Sequence, residues 1–309
     1  MNPLTARKCR SVPACIALCA FALSLPAAPA AKSKGSASTN EPRNRKSAPK
    51  DLTSPPLDAA DITELPDGTE RLEIFLLMGQ SNMKGRGVMP EDPRRDPRII
   101  MMHTRSDGYF LARHPLHLVG SPIDFSRADN AGVGPGLAFA ESISAARPQS
   151  RVLLIPCAVG GTSLGKWKKG QRLYDQTIRR ARLAMNQGPK GKTRIAGALW
   201  LQGEADSGTP ERRAAYGEGL DRMIQDLRAD LDRPDLPFIA CTIGEAKEDI
   251  EGRKAINKIL LELPDRVPHT ACVDGREFAK FIGDEVHFDT ATQQEHGHRF
   301  AAKYLELVR

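Results

Sequence analysis

Two short segments of this sequence carry the side-chain types of a nucleophile, a base and an acid. In the segment GQSNM, Ser81 lies just after Gly79 and directly behind a run of apolar residues. In the segment DEVHFD, Asp284 and His287 share one short stretch of chain. A histidine activates a serine hydroxyl by taking its proton, and an acid beside the histidine orients the ring and stabilises the imidazolium. Ser81, His287 and Asp284 are therefore candidates for nucleophilic catalysis at a carbonyl group.

Two further segments supply groups that can stabilise a negatively charged oxygen. In AVGGTS, the paired Gly160 and Gly161 would let the backbone approach a ligand closely. In LQGEAD, the amide of Gln202 is followed by two carboxylates, the first of them Glu204. Backbone N–H groups and side-chain amides are the usual donors to an oxyanion. Each segment alone is a weak signal, since a serine after a glycine is usually a turn residue, so the argument rests on their joint placement.

The elements that would position these residues follow from the hydrophobic pattern. Short apolar runs alternate with longer helical stretches, as in parallel strands joined by crossover helices. The sequence predicts strands at 72–78, 152–157, 195–201, 238–243 and 270–273, and helices at 136–146, 173–186, 211–231, 253–263 and 291–307. We therefore expect an α/β fold, a three-layer α/β/α sandwich with a parallel five-stranded sheet. Ligands of such sheets bind beyond the carboxyl ends of the strands. The segments that contain Ser81, Gly160 and Gln202 each follow a predicted strand and are therefore expected there.

The four segments, in this order, resemble the sequence blocks of the SGNH-type carbohydrate esterases. The closer resemblance is to the sialate O-acetylesterase and acetylxylan esterase branch, carbohydrate esterase family six, over residues 72 to about 300. This resemblance implies a serine esterase that removes O-acetyl groups from carbohydrates through an acetyl-enzyme intermediate. It also implies that the enzyme needs neither a metal nor another cofactor.

The resemblance assigns a role to each residue. Ser81 would be the nucleophile, His287 the base and Asp284 the orienting acid. The oxyanion hole would consist of the N–H groups of Ser81 and Gly160 and the side-chain amide of Gln202. Two assignments stay open at this point: Gly161 is the alternative to Gly160, and Glu204 is the alternative acid or a supporting residue.

Other interpretations of the same sequence remain to be tested against a structure. Gly161–Gly165 matches G-x-S-x-G, the nucleophile elbow of the α/β-hydrolases, which would make Ser163 the nucleophile. A non-catalytic carbohydrate-binding protein on an esterase scaffold would share the fold. Trp167 would either stack on a sugar ring or pack against the domain.

The histidine pairs of HGH and HPLH, at 296–298 and 114–117, lack the spacing of a metal site, so we expect no metal ligands there. The side chains of these histidines are expected to be exposed to solvent.

The amino-terminal residues have the layout of a secretory signal peptide. Arg7, Lys8 and Arg10 precede an apolar stretch at about 16–25, and small residues with the pattern A-x-A follow at 28–30. We therefore predict a signal peptide at 1–30, a disordered basic linker at 31–60 and the esterase domain at 61–309. The expected location is secreted or periplasmic. A lipid anchor on Cys19 is a minor alternative, because Leu18 stands where a small residue is wanted.

The distribution of charge limits the classes of partner. The whole chain has a formal net charge of +7, yet residues 51–309 carry 36 basic and 37 acidic residues. The basic excess therefore lies in the first 50 residues and not in the folded body. We expect an acetylated carbohydrate as the substrate, no nucleic-acid partner and no stable membrane insertion. The sequence gives no indication of the oligomeric state.

Overall fold

The strand β1, Arg71–Gly79, lies in the middle of the sheet and is buried along almost its whole length. In this computed structural model, which describes residues 61–91, 96–117, 131–245 and 247–309, β1 pairs in parallel with two neighbours. These are β4, Ser150–Pro156, and β5, Thr193–Leu201. A nearly continuous apolar run suits a parallel sheet that is covered on both faces.

The sheet has seven strands in the order β3-β2-β4-β1-β5-β6-β7. The remaining strands are β2, Ile99–Met102, β3, Tyr109–Leu111, β6, Phe238–Cys241, and β7, Thr270–Val273. All neighbours are parallel except β2 and β3, which pair antiparallel. The five predicted strands are present, but the predicted number of five is wrong. The two strands that were not predicted are β3 at one edge and its neighbour β2, which contain three and four residues, and such short runs give a weak periodic signal.

Helices connect the strands. The described helices are α1, Ser81–Lys84, α2, Gly136–Ala146, α3, Arg172–Gln187, α4, Glu204–Ser207, α5, Pro210–Asp230, α6, Ile250–Leu261, α7, Leu263–Arg266, and α8, Thr290–Leu307. Within the described ranges, no helix is long and apolar enough to cross a membrane. The predicted signal peptide and linker lie outside these ranges.

Aromatic side chains show that helices cover both faces of the sheet. On one face, Phe75 of β1 contacts the ring edges of Phe139 in α2 and Tyr304 in α8, with centroids 4.8 Å and 5.0 Å away. Gly197 of β5 is the register partner of Phe75 and so faces the same side of the sheet. Trp200 is three residues further along β5, and because side chains alternate along a strand, it points to the opposite face. There the indole N–H of Trp200 donates to the hydroxyl of Tyr216 in α5. The fold is thus a three-layer α/β/α sandwich.

Trp167 belongs to the core and does not contact solvent. Its side chain is fully buried and packs edge-on against Trp200, with ring centroids 5.4 Å apart. Its indole N–H lies 3.3 Å from the hydroxyl of Thr162, so it also holds the loop after β4. A buried ring cannot stack on a sugar. The prediction of Trp167 as a substrate-binding residue is therefore wrong, and the alternative that it packs against the domain is correct.

The burial of Trp167 predicts a large loss of stability on truncation. We expect Trp167→Ala to lower the free energy of unfolding by about 3–5 kcal/mol, because it leaves a cavity against Trp200. Denaturant titration measures this change. Val88→Ala, at a position that is 71% exposed, is the control and should change stability by less than about 0.5 kcal/mol. Wild-type stability of Trp167→Ala would contradict this placement.

Candidate active site

A sharp turn after β1 presents Ser81. Gly79 has φ +133°, and a Cβ atom there would overlap the carbonyl oxygen of Leu201 at the end of β5. Only glycine accepts both conditions. The next residue, Gln80, donates its N–H to the same carbonyl at 3.0 Å. The chain then enters α1, so that Ser81 stands at the carboxyl edge of the sheet and at the first position of a helix.

The structure brings Ser81, His287 and Asp284 together. Ser81 Oγ lies 2.9 Å from Nε2 of His287, and Nδ1 of His287 lies 2.5 Å from Oδ2 of Asp284. An ionised carboxylate only accepts hydrogen bonds, so Nδ1 carries the proton and the lone pair of Nε2 faces the hydroxyl. This is the geometry in which an imidazole can take a serine proton.

Asp284 is held by its own loop. Its Oδ1 atom accepts the backbone N–H groups of Val286 at 3.1 Å and His287 at 2.8 Å. Burial acts to raise the pKa of Asp284, but the hydrogen bonds from the His287 ring and from these two N–H groups outweigh it and lower the pKa below its usual value. The carboxylate is therefore ionised at neutral pH and can stabilise a positively charged imidazole.

Gly160 lies beside Ser81. A Cβ atom on Gly160 would be 3.7 Å from Cβ of Ser81, whereas a Cβ atom on Gly161 would meet nothing within 4 Å. Gly161 has φ +71° and serves the turn. Within the described part of the chain, no backbone acceptor takes the N–H of Ser81 or of Gly160. Both N–H groups are free to bind a carbonyl oxygen, and the structure favours Gly160 over Gly161 for this place.

Gln202 does not point its amide at a ligand. The side chain is fully buried, and its Nε2 atom donates to Oδ2 of Asp206 at 2.6 Å and to the carbonyl of Thr162 at 3.0 Å. A third acceptor, Oε1 of Gln80, lies 3.2 Å from Nε2, so both amide hydrogens are used within the fold. Asp206 also accepts the N–H of Leu164. The expectation that Gln202 donates to an oxyanion is therefore not met, because a nearby carboxylate takes its donor; Gln202 instead braces the loop that carries Gly160.

The two carboxylates after β5 have separate contacts. Burial raises the pKa of Asp206, against the lowering effect of the hydrogen bonds from Leu164 and Gln202. Glu204 accepts a hydrogen bond from Nδ2 of Asn82 at 2.6 Å. It is Asp284 and not Glu204 that contacts the His287 ring. Glu204 thus lies beside the turn that carries Ser81, but it does not take the place of the acid that orients His287.

An open cleft of about 440 Å³ exposes this arrangement to solvent, and its lining is rich in cations. Lys84, Arg86 and Arg253 line it together with one carboxylate, Glu204. The Nε atoms of Arg86 and Arg253 are buried without a hydrogen-bond partner in the described residues. Burial lowers the pKa of Arg86, an effect that the charge of Asp284 opposes. Arg86 is partly exposed, whereas Arg253 is buried and donates Nη1 to the carbonyl of Gly244. The cleft therefore has a cationic lining that favours an anionic ligand, with Arg86 as its accessible guanidinium.

Ser163 has no such setting. It precedes a short 3₁₀ turn, Leu164–Trp167, and not the helix that a nucleophile elbow requires. No imidazole contacts its hydroxyl in the described ranges, so the α/β-hydrolase alternative lacks a base.

The described residues contain no group of three or more potential ligands placed to hold a metal ion. Three of the four histidines in the two pairs are buried and not exposed as expected: His296 is 0% accessible, His117 is 3% accessible and His114 is 7% accessible. Only His298 lies on the surface. Burial lowers the pKa of His114 and of His296 to about 4, so these rings are neutral side chains of the packed interior.

Comparison with known proteins agrees with this geometry. The chain is 32% identical to the Arabidopsis thaliana protein named "Probable carbohydrate esterase At4g34215" over 250 residues, which are 75% of this chain and 90% of that protein. The X-ray structure of the Arabidopsis protein superimposes with a TM-score of 0.64 at 29% identity and covers 76% of this chain and 98% of its own. The crystal structure of NanS shares the fold, with a TM-score of 0.61 at 19% identity and coverage of 78% and 99%.

The family described as "Carbohydrate esterase, sialic acid-specific acetylesterase" matches residues 71–306, a range that begins with β1 and ends in α8 and so includes all the residues of the cleft. The chain belongs to this family of carbohydrate acetylesterases and is a carboxylic ester hydrolase of the SGNH type.

Proposed function

We propose that the protein is an exported serine esterase that hydrolyses O-acetyl esters on carbohydrates through an acetyl-enzyme intermediate. The observation that carries the proposal is the contact chain from Ser81 through His287 to Asp284 at the floor of an open cleft. Export, to the periplasm or the outside of the cell, rests on the signal-peptide pattern of residues 1–30.

The first half of the reaction transfers the acetyl group to the enzyme. Nε2 of His287 takes the hydroxyl proton of Ser81 while Oγ forms a bond to the acetyl carbonyl carbon. The carbonyl oxygen becomes an anion, which the N–H groups of Ser81 and Gly160 bind. The bond from this carbon to the sugar oxygen then breaks, and His287 returns the proton to the departing sugar hydroxyl.

The second half releases acetate. A water molecule gives a proton to Nε2 of His287 and attacks the acetyl carbon, and the same two N–H groups stabilise the second oxyanion. The bond between the carbon and Oγ of Ser81 breaks, and His287 returns the proton to the serine. Asp284 accepts the Nδ1 hydrogen bond throughout and lowers the energy of the imidazolium in both halves.

The cations of the cleft favour an acidic sugar as the acyl carrier. Arg86, which is partly exposed, lines the cleft beside Ser81 and His287, and Lys84 and Arg253 add positive charge to the same lining. A guanidinium binds a carboxylate with two parallel hydrogen bonds, which a neutral sugar cannot accept. Of the two substrate types that the resemblance implied, O-acetylated sialic acid presents a carboxylate and acetylated xylan chains do not. We therefore propose the sialic acid type as the better substrate.

Substitution of the serines separates the candidate nucleophiles. Ser81→Ala should lower kcat toward 4-nitrophenyl acetate by about a thousandfold or more, with residual activity from the oxyanion hole. Ser163→Ala is the matched control and should keep nearly wild-type kcat, because its hydroxyl lacks a base. Initial rates on folded protein decide the outcome. The reverse ranking would move the nucleophile to Ser163, and a wild-type chain without acetate release would favour a non-catalytic binding protein.

The two acid candidates are distinguished by a pair of amide substitutions. We expect Asp284→Asn to lower kcat by about 10³–10⁴, because the loss of the carboxylate removes the fixed tautomer and the stabilised imidazolium. Glu204→Gln keeps an oxygen that can accept from Asn82, so its kcat should fall by no more than about tenfold. The thermal midpoint of each variant is measured as well, so that a loss of folded protein is not counted as a loss of kcat. A larger loss for Glu204→Gln would assign the acid role to Glu204.

The charge of the cleft predicts a selective change in KM. For an O-acetylated sialic acid, Arg86→Gln should raise KM about tenfold, the effect of losing one charged hydrogen bond. For neutral 4-nitrophenyl acetate the same variant should keep its KM within about twofold. Arg222→Gln, at a position whose side chain is 72% exposed, is the charge-matched control. Equal effects on both substrates, or faster release from acetylated xylo-oligosaccharides, would contradict the preference for an acidic sugar.

A further inference from the structure

The side chain of Asn82 joins the turn that carries Ser81, residues 79–82, to the loop that carries His287, residues 282–289, which we call the histidine loop. Asn82 directly follows Ser81 and is fully buried. Its Nδ2 atom donates to the carbonyl of Val286 at 3.0 Å, and its Oδ1 atom accepts the N–H of Phe288 at 3.0 Å. Val286 and Phe288 are the two neighbours of His287 in the chain. One amide therefore fixes the backbone on both sides of the base, from the residue next to the nucleophile.

Glu204 sets the orientation of this amide. The second hydrogen on Nδ2 of Asn82 is donated to Oε1 of Glu204 at 2.6 Å. A carboxylate accepts and does not donate, so it keeps Nδ2 on its own side and leaves Oδ1 for Phe288. In the flipped amide, Oδ1 would face two acceptors, the Glu204 carboxylate and the Val286 carbonyl, and Nδ2 would face the N–H of Phe288. The flipped state is excluded by these three unfavourable contacts.

The His287 loop has few other ties to the turn that carries Ser81. The hydrogen bond from Ile282 N–H to the His287 carbonyl and the bonds to Asp284 lie within the loop itself. The contact of Asn82 with Val286 and Phe288 joins it to α1 through a buried side chain. A shift of the loop would lengthen the 2.9 Å contact between His287 and Ser81, and misplacement by about 1 Å can cost a hundredfold in rate.

We infer that Asn82, oriented by Glu204, is the positioning residue that keeps His287 in contact with Ser81. Glu204 acts on the base through Asn82 and does not touch the ring. The inference rests on the proposed serine esterase mechanism and adds to it the residue pair that sets the distance of proton transfer.

A double-mutant cycle on the whole chain tests this role, with 4-nitrophenyl acetate as the substrate and a fluorophosphonate to titrate reactive serine. In Asn82→Asp, two carboxylates face each other, so kcat per titrated site should fall about a hundredfold, with KM within about twofold of wild type. In Asn82→Asp combined with Glu204→Gln, the glutamine amide can donate where the asparagine amide did. The double variant should recover about tenfold of kcat over Asn82→Asp alone.

Two further variants keep the test decisive. Asn257 is a buried amide that likewise holds a backbone N–H and carbonyl, both of Ile243, and contacts a glutamate, Glu245. Asn257→Asp should lower the thermal midpoint but leave kcat per titrated site within about twofold, since its contacts do not include the histidine loop. If Asn82→Asp does not fold, Glu204→Ala replaces it and should lower kcat per titrated site at least tenfold, because Nδ2 of Asn82 then loses its charged acceptor and the amide is held less firmly.

The outcomes separate this inference from the proposed function. A wild-type chain that neither turns over ester nor is labelled at Ser81 would refute the esterase mechanism. If the wild type is active, the inference is overturned by a wild-type kcat per site in Asn82→Asp or Glu204→Ala. A double variant no faster than Asn82→Asp would also overturn it, because the two residues would then act independently.

Discussion

The close approach of Gly79 to the carbonyl of Leu201 is the constraint on which the site depends. It joins the ends of β1 and β5 and aligns the N–H of Gln80 with the same carbonyl. A side chain at this position would push the two strand ends apart. Ser81 and Asn82 follow from β1 and Glu204 from β5, so their contacts require that this spacing be kept. The positive φ of Gly79 is therefore as necessary to the site as the hydroxyl that comes after it.

Each carboxylate near the cleft accepts hydrogen bonds from different donors and therefore has a different role. Asp284 accepts from the His287 ring and from its own loop, Asp206 from Gln202 and the loop after β4, and Glu204 from Asn82. Carboxylates that shared donors would compete, and one would take up a proton. Because their donors differ, three acids can lie around one serine and hold the base, the oxyanion loop and the amide of Asn82 independently.

The sequence predicts the central part of this structure because two simple rules govern it. Apolar runs mark five neighbouring strands of the seven, and ligand groups follow strand ends, which places Ser81 and Gly160 at the carboxyl edge of the sheet. The contact of Asp284 with His287 follows from their nearness in one loop. The strands β2 and β3, which lie together at one side of the sheet, were missed because runs of four and three residues carry little periodic signal. Propensity and pattern therefore predict long, buried elements more reliably than short ones.

The errors at single residues have a different cause. The exposure of Trp167 and the direction of the Gln202 amide depend on partners distant in sequence, Trp200 and Thr162 among them, and no local pattern encodes such pairs. Asn82 lies inside a segment that was recognised, yet its role became visible only when Val286 and Phe288 were found on either side of its amide. The types of the reacting groups could be deduced from the sequence, whereas the residues that position these groups could be identified only from the tertiary structure.

The charge of the cleft shows why local arrangement outweighs composition in recognition. Residues 51–309 are nearly neutral, with 36 basic and 37 acidic residues, so the folded body has no general attraction for anions. At physiological salt, exposed charges are screened beyond about 8 Å, while partly buried groups are screened much less. Arg86 is partly buried and Arg253 is buried at the cleft, so their charges act on a ligand mainly once it lies beside Ser81. Selection by charge must then occur within the bound complex, at the distance where the ester is cleaved, and not by long-range steering toward the protein.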